Sequence, residues 1–164
     1  MTFDVKRGVP VAFHIVLVEP EIPANTGNIA RTCAGTGAVL HLVRPLGFST
    51  DDKMLKRAGL DYWHAVDVRY HDSFAEVQAL YPEGRFFFST TKASKWYTEF
   101  SFRDGDFLVF GKETQGLPES LLAAYPEQCM RLPMTSNIRS LNLSNAVAIV
   151  LFEALRQNGF PGMS

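Results

Sequence analysis

The sequence has few cysteines, no marked excess of either charge and no long apolar run. Only two of its 164 residues are cysteines, Cys33 and Cys129, and neither has a second Cys or a His at a spacing typical of metal chelation. We therefore predict two buried free thiols and no metal site. The apolar runs are shorter than the roughly 18 residues that a membrane helix needs, and the first ten residues do not resemble a signal peptide. These absences favour a cytoplasmic protein without a membrane segment.

The charges nearly cancel, since 16 basic and 17 acidic residues give a formal net charge of −1. Bulk electrostatics therefore gives no reason to expect a nucleic-acid partner. Contacts with RNA would have to come from local clusters of basic residues. Taken alone, such a cluster is more often a solvated charged surface. The two candidates are Lys53, Lys56 and Arg57 on one predicted helix face, and Lys92 and Lys95 beside Trp96 and Tyr97.

Strand-like and helix-like segments alternate from residue 13 to the C-terminus. Short β-branched or aromatic runs predict strands at 13–18, 39–44, 65–69, 85–89, 107–111 and 129–132. Helical patterns lie between them, at 25–36, 51–58, 73–80, 119–124 and 143–157. The alternation predicts an α/β fold with a mostly parallel sheet flanked by helices. We assign one domain to residues 13–164, treat 1–12 as an N-terminal extension, and expect a ligand where the strands end in loops.

The loop after the first strand runs into a helix and carries more polar residues than packing needs. Asn25 or Thr26 is suited to cap that helix, and Gly27 leaves the backbone open to close approach. Arg31 lies three residues after Asn28, so that both share a helix face. A guanidinium beside exposed helix N–H groups is suited to gripping a phosphate or orienting a hydroxyl. An N-cap with a surface arginine explains the same pattern about equally well.

Two later loops are rich in glycine or in polar side chains. The strand at 107–111 leads into a glycine-bounded loop, whose spacing is neither that of a P-loop nor that of a dinucleotide fingerprint. Gly111 at the strand's end lets a flat ligand approach the main chain, although ordinary turn chemistry also accounts for this segment. Before the last helix, a run of Ser, Asn and Arg includes two possible caps, Ser140 and Asn142. Its surplus of hydrogen-bonding groups indicates a polar ligand.

Together, these segments resemble the motifs of the SPOUT superfamily, in its branch of RNA ribose 2′-O-methyltransferases. The resemblance covers about residue 13 to the C-terminus, and this short chain is most similar to the small tRNA (cytidine/uridine-34 2′-O)-methyltransferases. The phrase Glu19-Pro20-Glu21-Ile22-Pro23 also favours that subgroup. The motifs that carry the resemblance are Asn25-x-Gly27-Asn28-x-x-Arg31, Phe110-Gly111-x-Glu113-x-x-Gly116-Leu117-Pro118, Leu132-Pro133-Met134 and Ser140-Leu141-Asn142-Leu143-Ser144-Asn145-Ala146.

The resemblance implies a C-terminal trefoil knot, a homodimer, and methyl transfer from S-adenosylmethionine to the wobble nucleotide in the anticodon loop of tRNA. It implies neither a metal nor a membrane. By position, the cofactor-binding residues are Ser89, Gly111, Leu132, Ser140, Leu141 and Asn145. The catalytic candidates are Arg31, which meets the ribose hydroxyl, and the residues that organise it, Asn25, Glu113 and Asn142. The candidates for contact with the RNA are Arg139, Lys92, Lys95 and Arg57.

Two other functions stay open at this point. The same chemistry on ribosomal RNA would need no change in these motifs, although the lack of an added RNA-binding domain argues mildly against it. The third possibility is a knotted dimer that binds nucleotide or RNA without catalysis. The presence of Arg31 and the residues around it argues against this, because an inactive descendant need not keep them.

Overall fold

The computed structural model describes residues 3–4, 9–10, 12–51, 53–55, 57 and 63–164. Two short strands, β1 (Phe3–Asp4) and β2 (Val9–Pro10), form a separate antiparallel pair. The main sheet contains β3 (His14–Val18), β4 (Val39–Val43), β5 (Val68–His71), β6 (Phe86–Ser89), β7 (Phe107–Phe110) and β8 (Cys129–Met130). Its six strands are all parallel and lie in the order β5-β4-β3-β7-β6-β8.

Helices cover both faces of this sheet. They are α1 (Pro23–Thr36), α2 (Phe74–Leu80), α3 (Glu119–Ala124) and α4 (Leu143–Gln157). Side chains of α1 and α4 share one hydrophobic cluster, whereas those of α2 and α3 belong to a second. Because successive strand residues point to opposite faces, Leu17 of β3 joins the first cluster and Val16 joins the second. The α/β fold with a parallel sheet is therefore confirmed, and the knot stays a prediction.

Several bounds differ from the sequence prediction, most of them by one or two residues, and two segments differ further. The strand predicted at 65–69 is Val68–His71, because residues 64–66 form a turn and bend, and the pairing with β4 begins at Val68 opposite Leu40. In the segment predicted as a helix at 51–58, residues 53–55 and 57 are helical. Lys56 and residues 58–62 lie outside the described residues. Within the described ranges, no helix is long and apolar enough to span a membrane.

Helix α1 begins at Pro23, two residues before the predicted start. Proline suits the first helical position, since its missing N–H would have no partner there and its φ is already helical. The N-cap is Ile22, whose side chain makes no capping hydrogen bond. The expectation that Asn25 or Thr26 caps this helix is therefore wrong, since both are buried inside its first turn. The N-terminal N–H groups must find their partner elsewhere.

A row of three histidines lies on the adjacent strands β3, β4 and β5, on the face of the sheet that carries α2. His14 Nδ1 lies 2.9 Å from His41 Nε2, and His41 Nδ1 lies 2.9 Å from His71 Nε2. Burial lowers the pKa of His14 to about 4 and that of His41 to about 3. It also lowers the pKa of His71. Because a neutral imidazole has one donor and one acceptor, three neutral rings can hydrogen-bond in sequence, each donating to the next.

Both cysteines are buried and unpaired, as predicted. Burial raises the pKa of the Cys33 thiol to about 12. It also raises the pKa of Cys129. Because the thiolate is the reactive form, neither side chain is suited to redox chemistry at neutral pH. Their role is to fill space in the two hydrophobic clusters, to which Cys33 and Cys129 respectively belong.

Candidate active site

The loops that follow β6, β7 and β8 surround one cavity. These strands are neighbours and parallel, so their carboxyl ends lie at the same edge of the sheet. The cavity has a volume of about 460 Å³. Five of the six residues predicted to bind the cofactor line it: Ser89, Gly111, Leu132, Ser140 and Leu141.

Asn145 is the sixth, and the structure does not bring its side chain to the cavity wall. It is exposed on the first turn of α4. Its main-chain N–H donates to Asn142 Oδ1 at 3.4 Å. A helix N-terminus leaves such N–H groups without intrahelical partners. Asn145 is therefore linked to the cavity through Asn142, which caps α4 and lines the cavity.

Glu113 supplies the partner that the start of α1 lacks. Its carboxylate accepts hydrogen bonds from the main-chain N–H of Glu21 at 2.8 Å and from that of Ile22 at 2.8 Å. Asn25 Nδ2 donates to the same carboxylate at 3.1 Å. A negative charge at this position also interacts favourably with the helix dipole. Glu113 thus acts as a cap that comes from the loop after β7.

Asn25 extends this contact to the last helix. Its side chain is 6% exposed, and its Oδ1 accepts a hydrogen bond from Asn142 Nδ2 at 3.1 Å. Asn142 in turn caps α4, since its Oδ1 accepts from Ser144 N at 2.9 Å. The predicted cap of the last helix is therefore confirmed. Three of the four predicted catalytic residues, Asn25, Glu113 and Asn142, form one hydrogen-bonded chain that joins all three motif loops.

Gly111 is required by its own loop. A Cβ at this position would lie 2.1 Å from Gly116 C and 2.3 Å from Leu117 N. These are main-chain atoms that cannot move without reshaping the loop. Gly116 itself has a φ of 68°, in the left-handed region that favours glycine. The sequence interpretation assigned the free space at Gly111 to a ligand, whereas the structure fills it with the returning backbone of the loop.

Arg31 does not line the cavity of its own chain. It is exposed on α1, as is Asn28, so that the predicted shared face is confirmed. Asn25 does line the cavity. Six residues further along the helix, Arg31 is displaced by about 9 Å along the axis and rotated by about 240°. In an ideal helix the two side chains are therefore about 120° apart around the axis, and Arg31 lies about two turns beyond the residue that lines the cavity.

Comparison with known proteins identifies the family. Residues 12–152 match the SpoU rRNA methylase family. The chain belongs to this family. It is 54% identical over 151 residues to the tRNA (cytidine(34)-2′-O)-methyltransferase of Escherichia coli K12, a match that covers 91% of this chain and 96% of that one.

Solved structures agree with this assignment. One, described as "Structural insights into the 2-OH methylation of C/U34 on tRNA", has a TM-score of 0.86 and 49% identity, over 91% of this chain and 97% of that one. An AdoMet-bound rRNA methyltransferase from Sinorhizobium meliloti has a TM-score of 0.78 and 25% identity, over 88% of this chain and 56% of that one. The resemblance found in the sequence is confirmed.

The cationic residues predicted to meet RNA are dispersed in this SpoU methylase. Lys92 and Arg139 line the cavity. The Lys92 Nζ lies 2.7 Å from Glu119 Oε1, and Lys95 Nζ lies 3.1 Å from Glu127 Oε2. These ion pairs are exposed and therefore contribute little, so a phosphate can replace either carboxylate. Arg57 is helical, and it is exposed.

Several cavity residues were not predicted from the sequence. They follow directly on strand ends, and this position is the signal that could have found them. Glu21, which belongs to the phrase Glu19-Pro20-Glu21-Ile22-Pro23 and was not predicted as a site residue, also contacts a lining residue, Thr114. The unpredicted lining residues of the SpoU methylase include Thr90, Thr91, Lys112, Thr114, Gln115 and Met134.

Proposed function

We propose that this SpoU methylase transfers a methyl group from S-adenosylmethionine to the ribose 2′-hydroxyl of nucleotide 34 of tRNA, either cytidine or uridine. The observation that carries the proposal is the chain of Glu113, Asn25 and Asn142, which joins three motif loops around one cavity. The similarity to the Escherichia coli enzyme, over nearly the full length of both chains, supports tRNA as the substrate. We expect the reaction to take place in the cytoplasm.

The cavity suits S-adenosylmethionine in size and chemistry. Ligand sites of this class usually enclose roughly 300–1,000 Å³, with apolar walls and a few polar groups, and this cavity has about 460 Å³. Apolar side chains for the faces of an adenine and hydroxyl groups for a ribose line the same space. When bound, the sulfonium supplies an activated methyl group and leaves as a neutral thioether. The residues that would hold the cofactor are Ser89, Gly111, Leu132, Ser140 and Leu141.

The protein must then align the ribose hydroxyl and stabilise the charge that develops on its oxygen. We assign this role to Arg31. A guanidinium is protonated near neutral pH, and acting as a general base there would need a large and costly lowering of its pKa. Holding the adjoining phosphate and stabilising the developing alkoxide needs no such shift, and water accepts the proton. Asn25, Glu113 and Asn142 fix the start of the helix that carries Arg31.

Because Arg31 is exposed and does not line the cavity of its own chain, we further propose a homodimer in which Arg31 serves the partner's cavity. The exposed face of α4 supports this, since it presents two large apolar side chains, Ile149 and Phe152, which are 38% and 42% exposed. We expect Phe152→Asp to give a monomer in light scattering and to lose methyl transfer. The matched control is Leu80→Asp on α2, which should leave both properties unchanged. A dimeric Phe152→Asp protein would contradict this interface.

Of the four cations predicted to contact the anticodon loop, Lys92 and Arg139 line the cavity, whereas Lys95 and Arg57 do not. We propose that Arg139, Lys92, Lys95 and Arg57 neutralise phosphates of the tRNA. Such contacts make RNA affinity fall with salt concentration. Trp96 is 52% exposed beside Lys95, and an exposed indole is suited to stacking on an unpaired base.

One assay tests the proposed reaction. The protein is incubated with labelled S-adenosylmethionine and either tRNA or ribosomal RNA, and the labelled nucleotide is mapped. We expect label at position 34 of tRNA. Label in ribosomal RNA alone would show that ribosomal RNA is the substrate and tRNA is not, in keeping with the name of the family. Absence of label in both would favour a binding module without catalysis.

The catalytic role of Arg31 needs a variant with a matched control. We expect Arg31→Ala to lose methyl transfer while its affinity for S-adenosylmethionine, measured by calorimetry, stays within about twofold of the unchanged protein. Arg103→Ala removes an exposed guanidinium near the opposite edge of the sheet and should keep full activity. Full activity in Arg31→Ala would refute its role.

A further inference from the structure

The segment between β3 and α1 contains two glutamates whose side chains reach the loop after β7. Glu19 has a φ of 55°, in the left-handed region that disfavours residues other than glycine. Its carboxylate lies 3.7 Å from Lys112 Nζ. Glu21 lies two residues further on, beyond Pro20. Both carboxylates therefore face residues of one short loop, 112–116.

The contact made by Glu21 is reciprocal. Its Oε1 accepts hydrogen bonds from Thr114 N at 3.0 Å and from Thr114 Oγ1 at 2.7 Å. In the opposite direction, the Glu21 N–H donates to the carboxylate of Glu113 at 2.8 Å. Each segment thus places a carboxylate on the main chain of the other. The Glu113 contact fixes the start of α1, whereas the Glu21 contact fixes the loop.

This loop forms part of the cavity wall. Lys112, Thr114, Gln115 and Gly116 all line the cavity, and the residues from Thr114 to Gly116 are exposed. Within the loop, Gly116 N donates to Lys112 O at 2.9 Å. The loop is therefore both part of the cavity wall and in contact with solvent, and the Glu21 carboxylate contacts it at Thr114. The hydrogen bonds from Thr114 lower the pKa of Glu21, so it is ionised at neutral pH.

We propose that Glu21 and Thr114 are positioning residues for the cofactor, which hold the 112–116 loop in its binding conformation before the cofactor arrives. The inference rests on the function proposed above. Fixing the backbone of a residue costs conformational entropy, and a loop that is already ordered does not add this cost to binding. A loss of about 1.4 kcal/mol weakens binding about tenfold. Neither residue touches the reacting atoms, so the chemical step should change little.

The test measures binding and loop order in the whole protein, without RNA. We expect Glu21→Ala to raise the Kd for S-adenosylmethionine about 5- to 10-fold in calorimetry. In the cofactor-free protein, the Thr114 amide should exchange its hydrogen faster. Glu21→Gln keeps an acceptor and should recover most of the affinity. The matched control is Asp67→Ala, which removes an exposed carboxylate that also accepts two hydrogen bonds, from Arg69.

Kinetics separate positioning from a merely structural role. At saturating cofactor, kcat of Glu21→Ala should fall by less than about twofold while KM for the cofactor rises. Thr114→Val, which keeps the N–H but loses the hydroxyl, should show a smaller rise in KM. An unchanged Kd, unchanged exchange of Thr114, or a fall in kcat alone would overturn the inference. Failure of the unsubstituted protein to bind S-adenosylmethionine would overturn the proposed function as well.

Discussion

The buried histidine row makes stability depend on pH in a range where most folded proteins change little. His14 and His41 have pKa values of about 4 and about 3 in the folded protein, because burial disfavours their charged forms. In the unfolded chain, an imidazole has a pKa near 6.5. As the pH falls below that value, the unfolded chain takes up protons that the folded protein does not bind. The free energy of unfolding must therefore decrease.

The magnitude follows from the distance between the pH and the unfolded pKa. At pH 5 both rings are still neutral in the folded protein, whereas the unfolded chain has passed its pKa by about 1.5 units. At 1.36 kcal/mol per unit, each imidazole lowers the free energy of unfolding by about 2 kcal/mol, and the two together by about 4 kcal/mol. The contribution of the two neutral imidazoles to stability is fully present above about pH 6.5 and is lost as the pH falls below it. The loss is large beside the roughly 5–15 kcal/mol that stabilises a typical domain.

Urea unfolding, followed by circular dichroism at pH 7.5 and at pH 5, measures this loss. The protein concentration must be held constant, because association would also change apparent stability. In the double variant His14→Gln, His41→Gln neither side chain can titrate, so we expect its pH dependence to be smaller by up to about 4 kcal/mol. An equal loss in both proteins would refute the reasoning, whatever their absolute stabilities.

Three further outcomes follow from the site. Asn25→Ala removes a buried amide and with it two hydrogen bonds, one to Glu113 and one from Asn142, so it should lower the free energy of unfolding by about 1–3 kcal/mol in urea and reduce methyl transfer; undiminished stability and activity would contradict its bridging role. Gly111→Ala should weaken binding of S-adenosylmethionine in calorimetry, because its Cβ would lie 2.1 Å from the carbonyl carbon of Gly116; normal affinity would mean that the loop is not part of the binding wall. Lys95→Ala should weaken tRNA binding, reduce its salt slope by about one and spare cofactor affinity; an unchanged slope in filter binding would remove it from the RNA surface.

The sequence predicts the elements of this fold better than the contacts between them. Near-continuous apolar runs such as 107–111 read as buried parallel strands, and the structure confirms them. The predicted start of α1 was wrong, because its cap is Glu113. This residue is distant in sequence, so a capping rule based on neighbouring residues does not predict it. The strand β5 was predicted too early in the chain, at 65–69. It extends to His71, a polar residue that is buried there as part of the histidine row.

The candidate site shows the same division. The motif loops predict the residues that meet at the cavity, since parallel strands end at one edge of the sheet. They do not show which residues of α1 meet the cavity, so the sequence could not show that Asn25 lines it and Arg31 does not. Nor could spacing alone show that Thr114 receives a carboxylate from Glu21. Such contacts depend on loop conformation and not on periodicity.

The cap that Glu113 places on α1 has a consequence for biosynthesis. The carboxylate lies 91 residues after Ile22, whose N–H it accepts. While a nascent chain leaves the ribosome, the helix start must remain hydrated until the seventh strand and its loop have emerged. A high contact order of this kind slows folding. Translation of the first two-thirds of the chain therefore leaves the start of α1 without its cap, and the proposed methyl-transfer site forms only as the last elements are added.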